Sequence, residues 1–327
     1  MDKGVTQVKE ISTILPASVR HILSALPLAV RENIEEIRLR QNMPLEIRYG
    51  QLSSYVTPTG QLTANSRQGW VFTEEQAGKL INQISQHSLY ALEEELKRGY
   101  ITVVGGHRVG IAGKVVLERG EVKGIRDLTS FNIRIAREKK GIAQKVLPFL
   151  LEAARVHNTL IISPPQCGKT TLLRDIARSL SYGSEWASSR KVAIVDERSE
   201  IAGCLHGVPQ RDVGPRTDVL DACPKAVGMM MMIRSMSPEV LIVDEIGRQE
   251  DSDAIWEAVY AGVSVVCTAH GWDVEETTRR PMLAKLIQQG AFTRYITLSR
   301  SSGIGTIQGI YDQALQPLQK EEQLWSR

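Results

Sequence analysis

Four short apolar runs, each opening into polar or charged residues, constrain this chain more than any other feature. They are "NTLIIS" (158–163), "KVAIVDE" (191–197), "EVLIVDE" (239–245) and "VSVVCTAH" (263–270). Runs of this length, separated by stretches with helical apolar spacing, are the pattern of buried strands in a parallel α/β sheet. Such sheets bind ligands just beyond the carboxyl ends of their strands. Four separate segments therefore deliver Lys169, Asp196 with Glu197, Asp244 with Glu245, and His270 to one edge.

The first run continues into "SPPQCGKTT" and then "LLRDIARSL" (172–180), where Leu172, Leu173, Ile176, Ala177 and Leu180 share one helical face. Strand, loop and helix together are the context of a phosphate-binding loop, G-x-x-x-x-G-K-[ST], with Ser163 at the first position. Ser163, Pro164, Pro165, Gln166, Cys167, Gly168, Lys169, Thr170 and Thr171 are the expected nucleotide-binding residues. Backbone N–H groups wrap the β-phosphate at the helix N-terminus. Lys169 reaches the β- and γ-phosphates, and Thr170 places its hydroxyl on Mg²⁺. Serine adopts most of the conformations that the strand end needs, and the close backbone approach depends more on Gly168.

"VLIVDEIG" (240–247) supplies the acidic partners: Asp244 for Mg²⁺ and Glu245 to polarise the attacking water. "VAIVDERSEI" (192–201) adds Asp196, Glu197 and Glu200, candidates to tune that water or the metal, with a solvated turn as the alternative. An extra strand between the loop and the second acidic run is the RecA-like order. His270 in "CTAHG" stands where a γ-phosphate is sensed, although a lone strand-end histidine is more often structural. Arg234, before the third run, is a candidate to stabilise phosphate charge. Arg211, Arg216 and Arg279 read as surface residues.

The first 140 residues differ in character. "ENIEEIRLRQNMPLEIRYG" (32–50) reads as strand, turn at Pro44 and strand. Residues 73–100 have helical spacing at Leu80, Ile81, Ile84, Leu89, Leu92 and Leu96, and 101–125 alternates β-branched residues with glycine. The expected organisation is an N-terminal α+β domain over 1–140 and a RecA-like P-loop domain over 141–327. Cys167, Cys204, Cys223 and Cys267 lack the spacing of a zinc site and suit a reducing compartment. A net charge of +3 and few aromatics argue against a nucleic-acid partner. No signal peptide is evident at the start, and "GMMMMI" is far too short for a membrane span.

The acidic strand end at 196, the "R…P-x-h-h-h-x-E-h…R" stretch around Glu245 and "TAHG" resemble the Asp box, Walker B and His box of type II/type IV secretion and pilus-retraction ATPases. "HSLYALEEELKRGYITVVGGHRVGIAGK", "DERSEIAG" and "GVPQRDVGPRTDVLDACPKAVGMMMMIRSMSPEVLIVDEIG" resemble a sporulation branch of that family, over about residues 30 to 315. The resemblance implies a homo-hexameric ATPase using ATP and Mg²⁺ in the mother-cell cytoplasm of endospore-forming bacteria. It further implies attachment to membrane-associated sporulation channel proteins, with no membrane insertion of its own. In that branch the Ser-Pro-Pro-Gln loop is the local form of the motif. Asp244 departs from the glycine that many secretion ATPases carry there, and no second His-containing segment follows "TAHG". Arg134 and Arg137 are the candidates for arginines acting on a neighbouring subunit. A nucleotide-dependent assembly switch with little turnover is the alternative function.

Overall fold

The computed structural model describes residues 11–50, 52–85, 93–152, 155–183 and 188–320. Two compact units divide the chain, Met1–Arg137 and Glu138–Arg327.

In the first unit, helix α1 (Ala17–Ala25) buries Val19, Ile22 and Leu23. Strands β1 (Ile34–Arg40), β2 (Glu46–Tyr49), β3 (Leu52–Val56) and β4 (Leu62–Thr63) follow. Helices α2 (Glu74–Ile84) and α3 (Glu93–Arg98) precede β5 (Tyr100–Val103), β6 (His107–Glu118) and β7 (Glu121–Arg134). The seven strands form one antiparallel sheet in the order β4-β3-β2-β1-β7-β6-β5. Alternation along β1 and β7 sends Ile37, Leu39, Phe131 and Ile133 inward, where Phe131 meets Phe72 edge to face at 6.2 Å. A reciprocal capping box between Thr73 and Gln76 starts α2, which buries Ala77, Leu80 and Ile84. Leu89 and Leu92, expected to continue that helical face, lie outside the described residues. β6 and β7 are joined by Arg119 and Gly120, with φ of 53° and 85°. Two positive φ values in a two-residue turn are what a tight hairpin following the strand twist requires.

The second unit is built on β8 (Thr159–Ser163), α4 (Lys169–Tyr182), β9 (Val192–Asp196), β10 (Thr217–Asp221), α5 (Lys225–Met236), β11 (Val240–Val243), α6 (Gln249–Tyr260), β12 (Ser264–His270), α7 (Pro281–Gln288), β13 (Arg294–Ser299), β14 (Thr306–Asp312) and β15 (Pro317–Lys320). Its eight-stranded sheet has the order β10-β9-β11-β12-β8-β13-β14-β15. β10 to β13 in that order are mutually parallel, and the last two strands are antiparallel. All four apolar runs are central strands of this sheet.

Period-two alternation explains why the runs are apolar throughout. Ile161, Ile194, Ile242 and Val266 pack on one face with Leu172, Leu173 and Ile176 of α4. Leu160, Ile162, Ala193, Val195, Leu241 and Val243 pack on the other, with Met229, Ile255 and Leu286 of α5, α6 and α7. A sheet covered by helices on both faces needs apolar side chains at every strand position. No described helix is long and apolar enough to cross a membrane.

Candidate active site

β8 ends at Ser163, which is fully buried, and the chain turns through Pro164 and Pro165 into α4. Ser163 is not among the residues with positive φ, so a side chain costs nothing there. Gln166 (φ 61°) and Gly168 (φ 91°) make the left-handed steps. Gly168 is constrained twice over, because a Cβ there would also lie 3.2 Å from Ile304 Cγ2 and 3.3 Å from Gly305. The buried Cys167 accepts at its carbonyl from the Gly305 N–H at 3.0 Å. Pro165 and Gln166 are exposed at the loop tip, and Thr171 is half-buried on the first turn of α4.

Lys169 is 7% exposed. Its ammonium donates to Ser163 O at 3.0 Å, Pro164 O at 3.1 Å and Ser163 Oγ at 3.3 Å, and lies 3.1 Å from His270 Nδ1. Burial holds it below the ordinary lysine range, opposed by the nearby Asp244 carboxylate. A charged ammonium can only donate, so the Nδ1 facing it is the acceptor and the proton of a neutral His270 sits on Nε2. That nitrogen lies 3.2 Å from Glu245 Oε1. Lys169, His270 and Glu245 thus form one chain of contacts. The pairing of β8 with β12 creates it, placing Ser163 opposite His270.

Thr170 Oγ1 donates to Asp244 Oδ2 at 3.0 Å, and Thr268 Oγ1 donates to Asp244 Oδ1. The Thr268 hydroxyl also accepts the Glu245 N–H at 2.8 Å, at a residue held in the left-handed region with φ 49°. One buried threonine therefore orients both acids. Glu245 Oε2 accepts from the Arg198 guanidinium at 3.1 Å. Asp196, Glu197, Arg198, Lys225, Asp244 and Glu245 line one small cavity at this edge.

The other predicted residues divide. Glu197 lies in the cavity, paired with the Lys225 ammonium. Asp196 is buried, and its carboxylate accepts from the backbone N–H groups of Glu200, Ile201 and Ala202 at 2.8 to 2.9 Å. Burial pushes its pKa up to about 6, against the pull of those amides. These contacts shape the 197–202 loop beside the cavity that Asp196 helps to line. Glu200 is absent from the cavity lining; its carbonyl accepts from Arg174 at 2.6 Å. Arg234 is exposed in the last turn of α5. That helix starts beside Glu197 and runs back towards the start of β11, so Arg234 stands at the opposite end of the sheet from Lys169. Arg134 and Arg137 contact Glu36 and the carbonyls of Glu32 and Ile34, inside the first unit. The residues expected from sequence do not include Thr268 or Arg198. Thr268 had a usable signal: it lies two residues before His270 on a strand, hence on the same face.

The chain matches the model of "Sporulation stage III, protein AA" over residues 5–317. The chain belongs to that family. Stage III sporulation protein AA of Bacillus subtilis (strain 168) is 54% identical to it over 306 residues, 93% of this chain and 95% of that one. Among solved structures, the ATPase DotB of Legionella pneumophila aligns with a TM-score of 0.54 at 18% identity, covering 86% of this chain and 74% of that one. The pilus retraction motor PilT, crystallised with ADP, aligns with a TM-score of 0.54 at 15% identity, covering 81% and 74%. At such identities the likeness is one of fold, and the fold of this sporulation protein is that of the RecA-like secretion ATPases.

Proposed function

We propose that this sporulation protein is an ATP hydrolase whose turnover drives assembly of, or transport through, a channel complex between mother cell and forespore. The observation that carries this reading is the meeting of Thr170, Asp244, Lys169, His270 and Glu245 at one sheet edge. ATP binds with its β- and γ-phosphates in the loop Ser163–Thr171, where Lys169 exchanges its carbonyl contacts for phosphate oxygens. Glu245 accepts the proton of the attacking water, its carboxylate oriented through its backbone by Thr268 and through Oε1 by His270.

The residues present suit Mg²⁺. A hydroxyl and a carboxylate oxygen already lie 3.0 Å apart at Thr170 and Asp244, and hard oxygen donors are what this ion takes. No cluster of three or more His, Cys, Asp or Glu among the described residues could hold a metal alone. When bound, Mg²⁺ supplies positive charge against the phosphate oxygens. Glu197 and Lys225 border the same cavity and adjust its field.

The resemblance to secretion ATPases supports a homo-hexamer that docks on membrane-associated channel proteins from the mother-cell cytoplasm, with Arg134 or Arg137 acting on a neighbouring subunit. Mass determination of Glu245→Gln protein with and without ATP tests this: a nucleotide-dependent hexamer is expected, and a monomer in both conditions contradicts it. A second reading, an assembly switch with little turnover, draws on the engagement of both Glu245 carboxylate oxygens, by His270 and Arg198. Partner recruitment that survives intact in Glu245→Gln would favour the switch over the motor.

A further inference from the structure

The loop 300–305 joins β13 to β14 and lies directly against the phosphate loop. Gly305 N–H donates to Cys167 O at 3.0 Å, and Ile304 Cγ2 comes within 3.2 Å of where a Gly168 Cβ would stand. Gly303 (φ 117°) and Gly305 (φ 88°) flank Ile304. The loop is tied internally as well: Gly303 N–H reaches Arg300 O at 3.2 Å, and Thr306 Oγ1 donates to Gly303 O at 2.8 Å. This ordered loop holds a large aliphatic side chain 57% exposed to solvent. What sets Ile304 apart from the other exposed apolar side chains is its place against the phosphate loop, where a ligand seated in that loop can cover it.

The sheet order identifies the ligand part. β8 lies between β12 and β13, while Asp244 and Glu245 follow β11, on the far side of β12. In phosphoryl transfer to water the attacking and leaving oxygens are roughly in line through the γ-phosphate. With Glu245 addressing the water, the leaving diphosphate extends away from β11, past Gly168 and towards the end of β13. Ribose and base then arrive at the loop 300–305.

We infer that Ile304 is an apolar platform for the nucleobase of the bound nucleoside triphosphate, an inference that rests on the nucleotide reading above. The side chain offers contact area and no hydrogen-bonding atoms, so it favours larger base faces. Affinity follows the order purine, then pyrimidine, then bare tripolyphosphate.

The test is calorimetric titration of the full chain, with Mg²⁺ present, by ATP, CTP and inorganic tripolyphosphate. Measurements compare wild type, Ile304→Ser and Ile304→Phe. Loss of the aliphatic contact weakens ATP binding by about tenfold in Ile304→Ser, as burial of part of such a side chain implies. Tripolyphosphate affinity stays at the wild-type value, and Ile304→Phe binds ATP at least as tightly as wild type. Equal ATP affinity in wild type and Ile304→Ser overturns the platform alone. So does equal weakening of ATP and tripolyphosphate, which marks a loop that shapes the phosphate site. Wild type that binds neither ligand overturns the nucleotide reading and the platform with it.

Discussion

The Lys169 ammonium lies 3.1 Å from Nδ1 of His270, which fixes the imidazole tautomer and turns its Nε2–H towards Glu245. The lysine proposed to meet phosphate is thereby linked through one ring to the carboxylate proposed to address the water. Replacing His270 by Ala should leave ADP affinity within about twofold while lowering turnover by about a hundredfold, the lower end of what general-base assistance contributes. Steady-state hydrolysis and ADP titration on the same preparation separate the two effects. An equal loss in both would assign His270 to binding.

Arg198 restrains Glu245 from the other side, through a pair at 3.1 Å in which the arginine side chain is 63% exposed. Such exposed pairs contribute about 0.2 to 1 kcal/mol. Arg198→Ala should therefore raise basal turnover by about twofold to fivefold, read as phosphate release at saturating MgATP. A fall in turnover would make Arg198 a contributor to the chemistry.

Thr268→Val keeps shape but removes the hydroxyl that orients Asp244 and accepts from the Glu245 amide. A buried N–H left without an acceptor costs about 1 to 3 kcal/mol. Urea unfolding should show that loss, and the Mg²⁺ concentration for half-maximal activity should rise. Unchanged stability would mean that the amide finds another partner.

Asp196 makes stability depend on pH in a defined sense. Its pKa is raised from 3.8 to about 6 by burial, so its stabilising contribution is complete below about 3.8 and disappears as pH rises through about 6. Asp196→Asn does not titrate. The stability of wild type relative to this variant should fall by about 2 kcal/mol between about pH 4.5 and pH 7. Urea unfolding at several pH values reads this out, and a wild-type stability that holds or rises relative to the variant over that range would contradict the assignment.

The four central strands are legible because burial on both faces leaves continuous apolar runs, and each run's polar end marks the sheet edge where Lys169, Asp244, Glu245 and His270 meet. β10 was not singled out, because Thr217–Asp221 is only half-buried and carries two aspartates; its pairing with β9 makes it a strand. The meeting of Ser163, Lys169, Thr170, Asp244, Glu245 and His270 is legible because each sits within a few residues of a strand end. Charge alone marks Glu200 and Arg234 in the sequence, and position keeps them from the cavity lining: one follows a turn capped by Asp196, and the other ends a helix that runs away from the edge. Arg198 and Ile304 left no mark in local pattern, since their places depend on which loops the sheet order sets side by side.

Hydrolysis at this site is read out by phosphate release from MgATP by wild type beside Lys169→Ala, with the channel partners supplied. Steady turnover is expected in wild type, reduced by at least about a hundredfold in Lys169→Ala, the scale seen when transition-state charge stabilisation is removed. Wild-type release no greater than that of Lys169→Ala would contradict it.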